Sequence, residues 1–536
     1  MRSCKQCRQA KRKCIRSETD LFTPCGRCLR HHLACSSAQP PSSKRKHQLA
    51  PRAQSSDSPS PSAGQTISDP PWKAVDDFLA DPEAVAELVN NYLTKIHDRP
   101  HSIFHAPTLW SDIRQKSVSR ALLLAICATG AHLSDQPTVR SLIPLLTTEC
   151  KRLLQDNMEQ ICLENIQTCI LVANLCAAHA NPSSEFLFFQ MAVAMVQLID
   201  IPVPNLKDNV ITAEIKIRVW WALFMADNWC SSSLGLPRQM KEFRRPPLPL
   251  EERLFYSLKS EQLFLSSETC RTTGLWAHMI TLVELFGPIQ DLNRSVVNGE
   301  ELTNEQITDA TEQLSHKIES WQAALPANMT LAESNIIEHT RRGNGGAFFA
   351  LHLGFHHYAT LLYYQYLDTQ SPSTSWTQRF AASCKYHALQ YSKLLSLGRQ
   401  QSGCETVYPT VGHMTTVSSS VLLHTLLFGT EDELAQSRGC LHGNFEALLE
   451  LEQYWPGVRS MINRLMSFQN TCLLFAHQHT HQLDCWMTRF LFEYALPLDE
   501  KAVSNPHSAS ELEIISSQTE AFAQMGRLAM FDEWSA

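Results

Sequence analysis

The chain has 536 residues, 44% of them apolar and 18% charged, the make-up of an ordinary globular protein with ample length for a large core. Length alone suggests about two to four domains. Its net charge of -7 hides an asymmetry: residues 1–52 hold thirteen Lys or Arg against Glu18 and Asp20, a balance of +11, and the remainder carries -18. A basic head on an acidic body suits a small module that seeks phosphate. Eighteen cysteines do not make this a secreted disulfide protein. No apolar leader precedes Cys4, and twelve of the cysteines are scattered through apolar stretches, as expected of buried free thiols in a reducing compartment. The longest apolar runs, such as Ala121 to Ala131, fall short of the ~20 residues a membrane helix needs. A soluble intracellular protein, away from any membrane, is expected.

Residues 1–36 carry Cys4, Cys7, Cys14, Cys25, Cys28 and Cys35, two copies of C-x2-C-x6-C joined by a ten-residue loop. Thiolates two residues apart reach one metal ion from a single turn of backbone, and tetrahedral zinc prefers such ligands. Six ligands cannot fill two separate tetrahedral sites, so two thiolates bridge, and a compact arrangement shares Cys4 and Cys25 between two Zn2+ ions. So small a module has too little core to fold alone, and zinc supplies its folding energy. Between the first cysteines lies Arg8-Gln9-Ala10-Lys11-Arg12-Lys13, read as a short cationic helix. Such a helix fits the major groove of double-stranded DNA, where Lys or Arg donates to guanine O6 and N7. Lys11 and Arg12 are the candidate base contacts. Arg8, Lys13, Lys5 and Arg16 are the candidate phosphate contacts.

Residues 37–71 are rich in Ser and Pro and poor in apolar residues, which predicts a flexible, disordered linker. Lys44-Arg45-Lys46 within it reads either as a solvated charge cluster or as a phosphate contact or half of a nuclear import signal, with Lys11-Arg12-Lys13 as the other half. Residues 72–536 read as one all-α domain. A first helical segment runs from Val75 to Ile96, ended by Pro100. Further helices are predicted near 117–133, 138–156, 160–180, 183–200, 212–234, 257–288, 304–325, 344–368, 377–398, 409–428, 442–454, 458–494 and 509–529. The segment Phe186 to Ile199, apolar on nearly every face, predicts a buried helix capped by Ser183 or Ser184. The helix from Thr212 is expected to stop near Gly235 and Pro237. Residues 510–536 carry five acids against Arg527 and end in Met530-Phe531-Asp532-Glu533-Trp534. That mixture reads either as an acidic activation segment for coactivators or as a last helix docked on the body.

The module resembles the fungal zinc binuclear cluster family of transcription factors in Cys4-Lys5-Gln6-Cys7-Arg8-Gln9-Ala10-Lys11-Arg12-Lys13-Cys14 and Pro24-Cys25-Gly26-Arg27-Cys28. The body is similar to that family's helical middle homology region in Arg99 to Leu109. A second matching stretch runs from Glu214 to Pro237, with Arg218, Trp220, Trp221, Leu223, Phe224, Asp227, Gly235 and Pro237. The resemblance implies a bridged two-zinc cluster, recognition of CGG-type triplets, often as paired half-sites, and a regulator of RNA polymerase II genes in the nucleus. It leaves the target pathway open among metabolic and secondary-metabolite gene sets. Many members dimerise through a coiled coil just after the linker. No heptad run stands there in this chain, so homodimer, heterodimer and monomer all remain open. A helical scaffold whose zinc knot docks on protein is the competing reading.

No catalytic reading gains support. No phosphate-cradling Gly-rich loop and no nucleophile elbow occurs, and Asp76-Asp77 and Glu251-Glu252 lack a catalytic partner nearby in sequence. His477, His479 and His481 alternate, so on a helix they do not converge on a metal. His352, His356 and His357 sit among Leu351, Leu353, Phe355 and Tyr358, which places them at a helix interface. Arg238, Lys241, Arg244 and Arg245 precede Pro246-Pro247 and read as an exposed loop.

Overall fold

The computed structural model describes residues 71–99, 101–201, 208–259, 272–298, 302–367, 374–477 and 509–529. The cysteine module and the linker up to Pro70 lie outside them, while Pro71, expected in the linker, begins the first helix. So do His479, His481 and the chain end from Met530 onward.

Among the described residues the body is helical throughout, with one isolated bridge between His97 and His101. Its first half comprises α1 (Pro71–Leu79), α2 (Pro82–Lys95), α3 (Ala106–Gln115), α4 (Arg120–Ala131), α5 (Pro137–Arg140), α6 (Ile143–Asp156), α7 (Leu163–Ala178), α8 (Pro182–Leu198), α9 (Val210–Ser233), α10 (Glu252–Ser257), α11 (Leu275–Val297) and α12 (Asn304–Ala323). Then follow α13 (Glu333–Arg341), α14 (Gly345–Tyr363), α15 (Ser375–Gln400), α16 (Thr410–Phe428), α17 (Glu431–Tyr454), α18 (Val458–His477) and α19 (Ala509–Gln524).

Local chemistry explains most boundaries. The single segment expected from Val75 to Ile96 is two helices, because the Asp81 carboxylate accepts from the Glu83 and Ala84 amides and Pro82 starts a new turn. Asn181, not Ser183 or Ser184, caps α8 through its bond to the Ser184 amide, with Pro182 next in the chain. α9 ends where expected, with Gly235 in the left-handed region at φ 66°. Thr430 forms a capping box with Glu433, so α17 begins at Glu431, eleven residues before the predicted start. α11 begins at Leu275, later than the predicted 257, and α10 is a separate short helix. α3 and α13 were not expected. Their few apolar positions, such as Leu109 and Ile336, give little periodic signal.

Two helices form the axis of the body. α14 is buried along nearly its whole length, and α16 is buried from Val411 to Leu427. A helix apolar on all faces finds no stable place at a surface. α14 packs along α15 on one side and α11 on the other, while α16 packs on α17 and α18. His352, His356 and His357 lie inside this stack, as the sequence suggested. His352 pairs with the Met329 carbonyl at 3.1 Å and His356 meets His387 at 3.0 Å. α8 departs from expectation: Phe188, Phe189 and Val196 are buried, but Leu187 and Leu198 face solvent. Helices α2 and α4 touch at backbone distance, since a Cβ on Gly130 would stand 2.0 Å from the Leu88 carbonyl oxygen.

The described part of the C-terminal segment docks on the body. α19 packs against α18, and the Arg527 guanidinium donates to the Gly429 carbonyl at 2.9 Å. The Ala529 amide donates to Gln469 at 3.2 Å.

Candidate functional site

The six module cysteines and the candidate DNA contacts Lys5, Arg8, Lys11, Arg12, Lys13 and Arg16 all lie outside the described residues. Among the described residues no group of three His, Cys, Asp or Glu side chains is placed to hold a metal. The ten described cysteines are unpaired, and eight are buried. Burial pushes the Cys127 and Cys150 thiols up to about 12, away from the thiolate form that binds metal. No described helix is long and apolar enough to cross a membrane.

The two body stretches that carry the family resemblance meet in space. Arg218, fully buried on α9, donates from Nη1 to Ser102 Oγ at 2.6 Å and from Nη2 to the Leu250 carbonyl at 2.6 Å. Its Nε lies 3.3 Å from Glu214 Oε1, one turn earlier on the same helix. Glu214 also accepts the Leu250 amide at 2.7 Å. The guanidinium stacks 4.0 Å from the centre of the Phe255 ring. Ser102 passes the network on, donating to Asp98 Oδ1 at 2.5 Å, and the Tyr256 hydroxyl donates to the same carboxylate. His97 Nε2 accepts the Ile103 and Phe104 amides, so its proton sits on Nδ1, 3.2 Å from Asp98. Burial alone would raise the Asp98 carboxyl, but His97, Arg218 and Ser102 overcome it and hold it well below the carboxylate range.

The remaining matched residues are also ties. Asp227 accepts the Met240 amide at 2.9 Å and Trp221 donates to the Pro247 carbonyl at 3.0 Å, so α9 fastens the loop of residues 234–251. That loop is where the sequence placed it, but two of its cations are engaged: Arg238 pairs with Asp291 and Arg245 with Glu284. Asp76 pairs with Arg120, and Glu251 caps α10. Glu252 is buried and accepts the Leu275 and Trp276 amides at the start of α11. These carboxylates build structure.

Two adjoining chambers open beside this network, sharing Trp229 and Thr410 as walls. The first encloses about 740 Å³ of atom-free space, its open side included, with His101, Asn174, Glu185 and Cys230 among mostly apolar walls. The second encloses about 590 Å³, with Arg99, Ser232, Gln290 and Tyr408 among its polar groups. No sequence signal marked them. Arg99 stood in a matched stretch, but the other wall residues are scattered from Trp229 to Met414.

Glu185 in the first chamber bonds the Cys230 thiol at 3.1 Å, and burial pushes its carboxyl from 4.5 up to about 7. The unfolded chain releases that proton near 4.5, so between pH 4.5 and 7 the folded state alone retains it. Stability associated with Glu185 is therefore full at low pH and lost as pH rises through 7. Glu185→Gln is expected to raise unfolding free energy at pH 8 by about 2 kcal/mol, allowing for partial exposure, and to change it little at pH 5. Urea titrations at the two pH values check this.

Comparison with known proteins relates this body to a family. Residues 89–323 match the fungal specific transcription factor domain. Both stretches joined by the Arg218–Ser102 bond fall inside that match. The chain is similar to an uncharacterised transcriptional regulatory protein of Schizosaccharomyces pombe, 19% identical over 52% of this chain and 32% of the relative. It is also similar to two Zn(2)-C6 fungal-type transcription factors of Fusarium oxysporum f. sp. lycopersici, FTF1c and FTF2. FTF1c is 20% identical over 70% of this chain and 44% of the relative, and FTF2 is 21% identical over 72% and 40%. The chain spans less than half the length of these relatives. The expected kinship with the fungal zinc-cluster transcription factors, including their middle homology region, is borne out.

Proposed function

We propose that the protein is a nuclear, sequence-specific DNA-binding transcription factor that regulates RNA polymerase II genes. In this reading residues 1–36 fold around two Zn2+ ions held by Cys4, Cys7, Cys14, Cys25, Cys28 and Cys35. The donor set fits that metal: six soft thiolates in two C-x2-C-x6-C halves suit tetrahedral zinc, and sharing two of them completes both coordination shells. Lys11 and Arg12 then read a CGG-type triplet in the major groove, while Arg8, Lys13, Lys5 and Arg16 hold phosphates. The linker over residues 37–71 gives the module reach, and the helical body regulates a metabolic or secondary-metabolite gene set. With 517–529 docked on the body, Met530 to Trp534 is the part of the acidic segment assigned to coactivators.

The observation that carries this reading is the match of residues 89–323 to the fungal specific transcription factor domain, in a chain that opens on the doubled cysteine spacing. Full-length protein is expected to bind a CGG-bearing duplex and to lose that binding when a chelator strips zinc, with recovery on zinc addition. The affinity is expected to fall steeply with salt, since several phosphates are neutralised. Gel shift with and without chelator tests it. Binding that survives complete zinc removal overturns the reading in favour of a scaffold whose cysteine knot serves another partner.

A further inference from the structure

A surface cleft opens between α3, α4 and the first turns of α7 and α9. Its volume is about 200 Å³. Phe104, Leu109, Leu122 and Ile211 form a buried apolar floor. The rim is half-buried, with Val118, Leu163 and Ile215 among its apolar groups. An apolar cavity of about 150 Å³ admits one benzene ring, so this cleft has room for a single Leu or Phe side chain. It is too small and too open to enclose a drug-sized ligand, which fills about 300–1,000 Å³.

The polar groups of the cleft divide into two kinds. Thr108 pairs with His105 at 2.7 Å, Gln167 donates to the Ile103 carbonyl at 2.6 Å, and Asn209 caps α9 by accepting the Thr212 amide at 2.8 Å. The carboxylates of Asp112 and Glu164, by contrast, have no hydrogen-bond or ion-pair partner among the described residues. Helix polarity accounts for Glu164, which stands in the first turn of α7. It does not account for Asp112, in the last turn of α3, where a negative charge is disfavoured. Arg114 and Lys116 follow Asp112 in the chain, but they are exposed and line no part of the cleft. Apolar surface continues past the rim, since Met158 and Ile161 are exposed in the turn that leads into α7. Asn165 holds that turn in place, donating to the Asn157 and Gln160 carbonyls at 3.0 and 2.7 Å.

The geometry points to a docking site for a basic segment of a partner protein. One Leu or Phe side chain of that segment seats on the floor of Leu109, Leu122 and Ile211, and Lys or Arg on either side of it reach Asp112 and Glu164. An apolar anchor in a pocket, with polar groups around it, is the common build of an interface hot spot. The two carboxylates select a basic partner over an acidic one, because like charges facing each other across a rim are costly. The chain beyond residue 52 carries -18, a field that draws the same class of partner. Met158 and Ile161 extend the contact beyond the anchor. This site goes beyond DNA reading and stands whether or not the zinc module binds a CGG triplet.

The test titrates full-length protein into the fluorescein-labelled peptide Lys-Lys-Gly-Phe-Gly-Lys-Lys and reads binding by anisotropy. Replacing its Phe by Ala keeps the charge and is expected to weaken binding about tenfold to a hundredfold. A peptide with Glu in place of every Lys is expected not to bind. Asp112→Asn combined with Glu164→Gln is expected to weaken binding of the Phe peptide about threefold to tenfold. The Phe peptide is also expected to slow alkylation of Cys162, the exposed thiol next to Leu163, as read by mass spectrometry. The proposal is overturned if the Phe peptide does not bind or binds no better than its Ala form, or if the folded double variant binds like the parent chain. It is also overturned if Cys162 protection rises with protein concentration alone, which makes a second copy of the chain the occupant. Should the double variant fail to fold, the comparison of peptides on the parent chain decides alone.

Discussion

Arg218→Ala is expected to destabilise the helical body by about 3–5 kcal/mol, the cost of leaving a buried charge partner uncompensated. The loss has several sources. Glu214, 3% exposed, would face the interior without its cation. Ser102 and the Leu250 carbonyl would each lose a donor at 2.6 Å, and the Phe255 ring would face a cavity. Asp98 would also lose one of the groups that hold its carboxyl low. Arg218→Lys retains the charge but has no fork to reach Ser102 and Leu250 together, so it is expected to restore only part of the loss. Urea unfolding of the full chain, followed by far-ultraviolet circular dichroism, measures both. A cost below about 1 kcal/mol for Arg218→Ala would show that the network is not what joins the two matched stretches.

Under the proposed function, replacing Lys11 and Arg12 together by Ala is expected to remove sequence preference while leaving the module folded. Each good base contact contributes about 1–3 kcal/mol of discrimination, so the pair accounts for roughly two to four orders of magnitude between a CGG duplex and an unrelated one. Arg8→Ala or Lys13→Ala is expected to act differently, weakening binding to both duplexes alike and lowering the salt slope by about one. The measurement is binding to both duplexes at several salt concentrations, with zinc content assayed in each variant. Retained discrimination in a double variant that keeps its zinc would move base reading to other residues. Arg27 and Arg30 of the second half would be next to test.

Much of the body was legible because helix signals are local. Pro82 and Asn181 act within one turn of backbone, and Gly235 supplies a left-handed conformation at the end of α9. The errors also have local causes. α3 and α13 carry too few apolar residues for a periodic signal, and the cap at Asp81 is weak punctuation inside an apolar run. α8 misled for another reason. A continuous apolar sequence does not say which face the fold covers, and Leu187 and Leu198 remain outside.

The candidate sites divide the same way. Six cysteines at fixed spacing are what the proposed zinc module rests on, and that signal is local, because the candidate ligands lie within a few residues of one another. The class of the body was likewise readable in short stretches such as Arg99 to Leu109. What those stretches do required tertiary structure. Arg218 meets Ser102 across 116 residues of chain, which turns two separate motifs into one buried network. The Arg99 chamber draws its walls from α9, α11, α14 and α16. There the Arg99 Nε finds no hydrogen-bond partner among the described residues. Sequence determines which charges a chain carries; only packing decides which of them are buried and left without a partner.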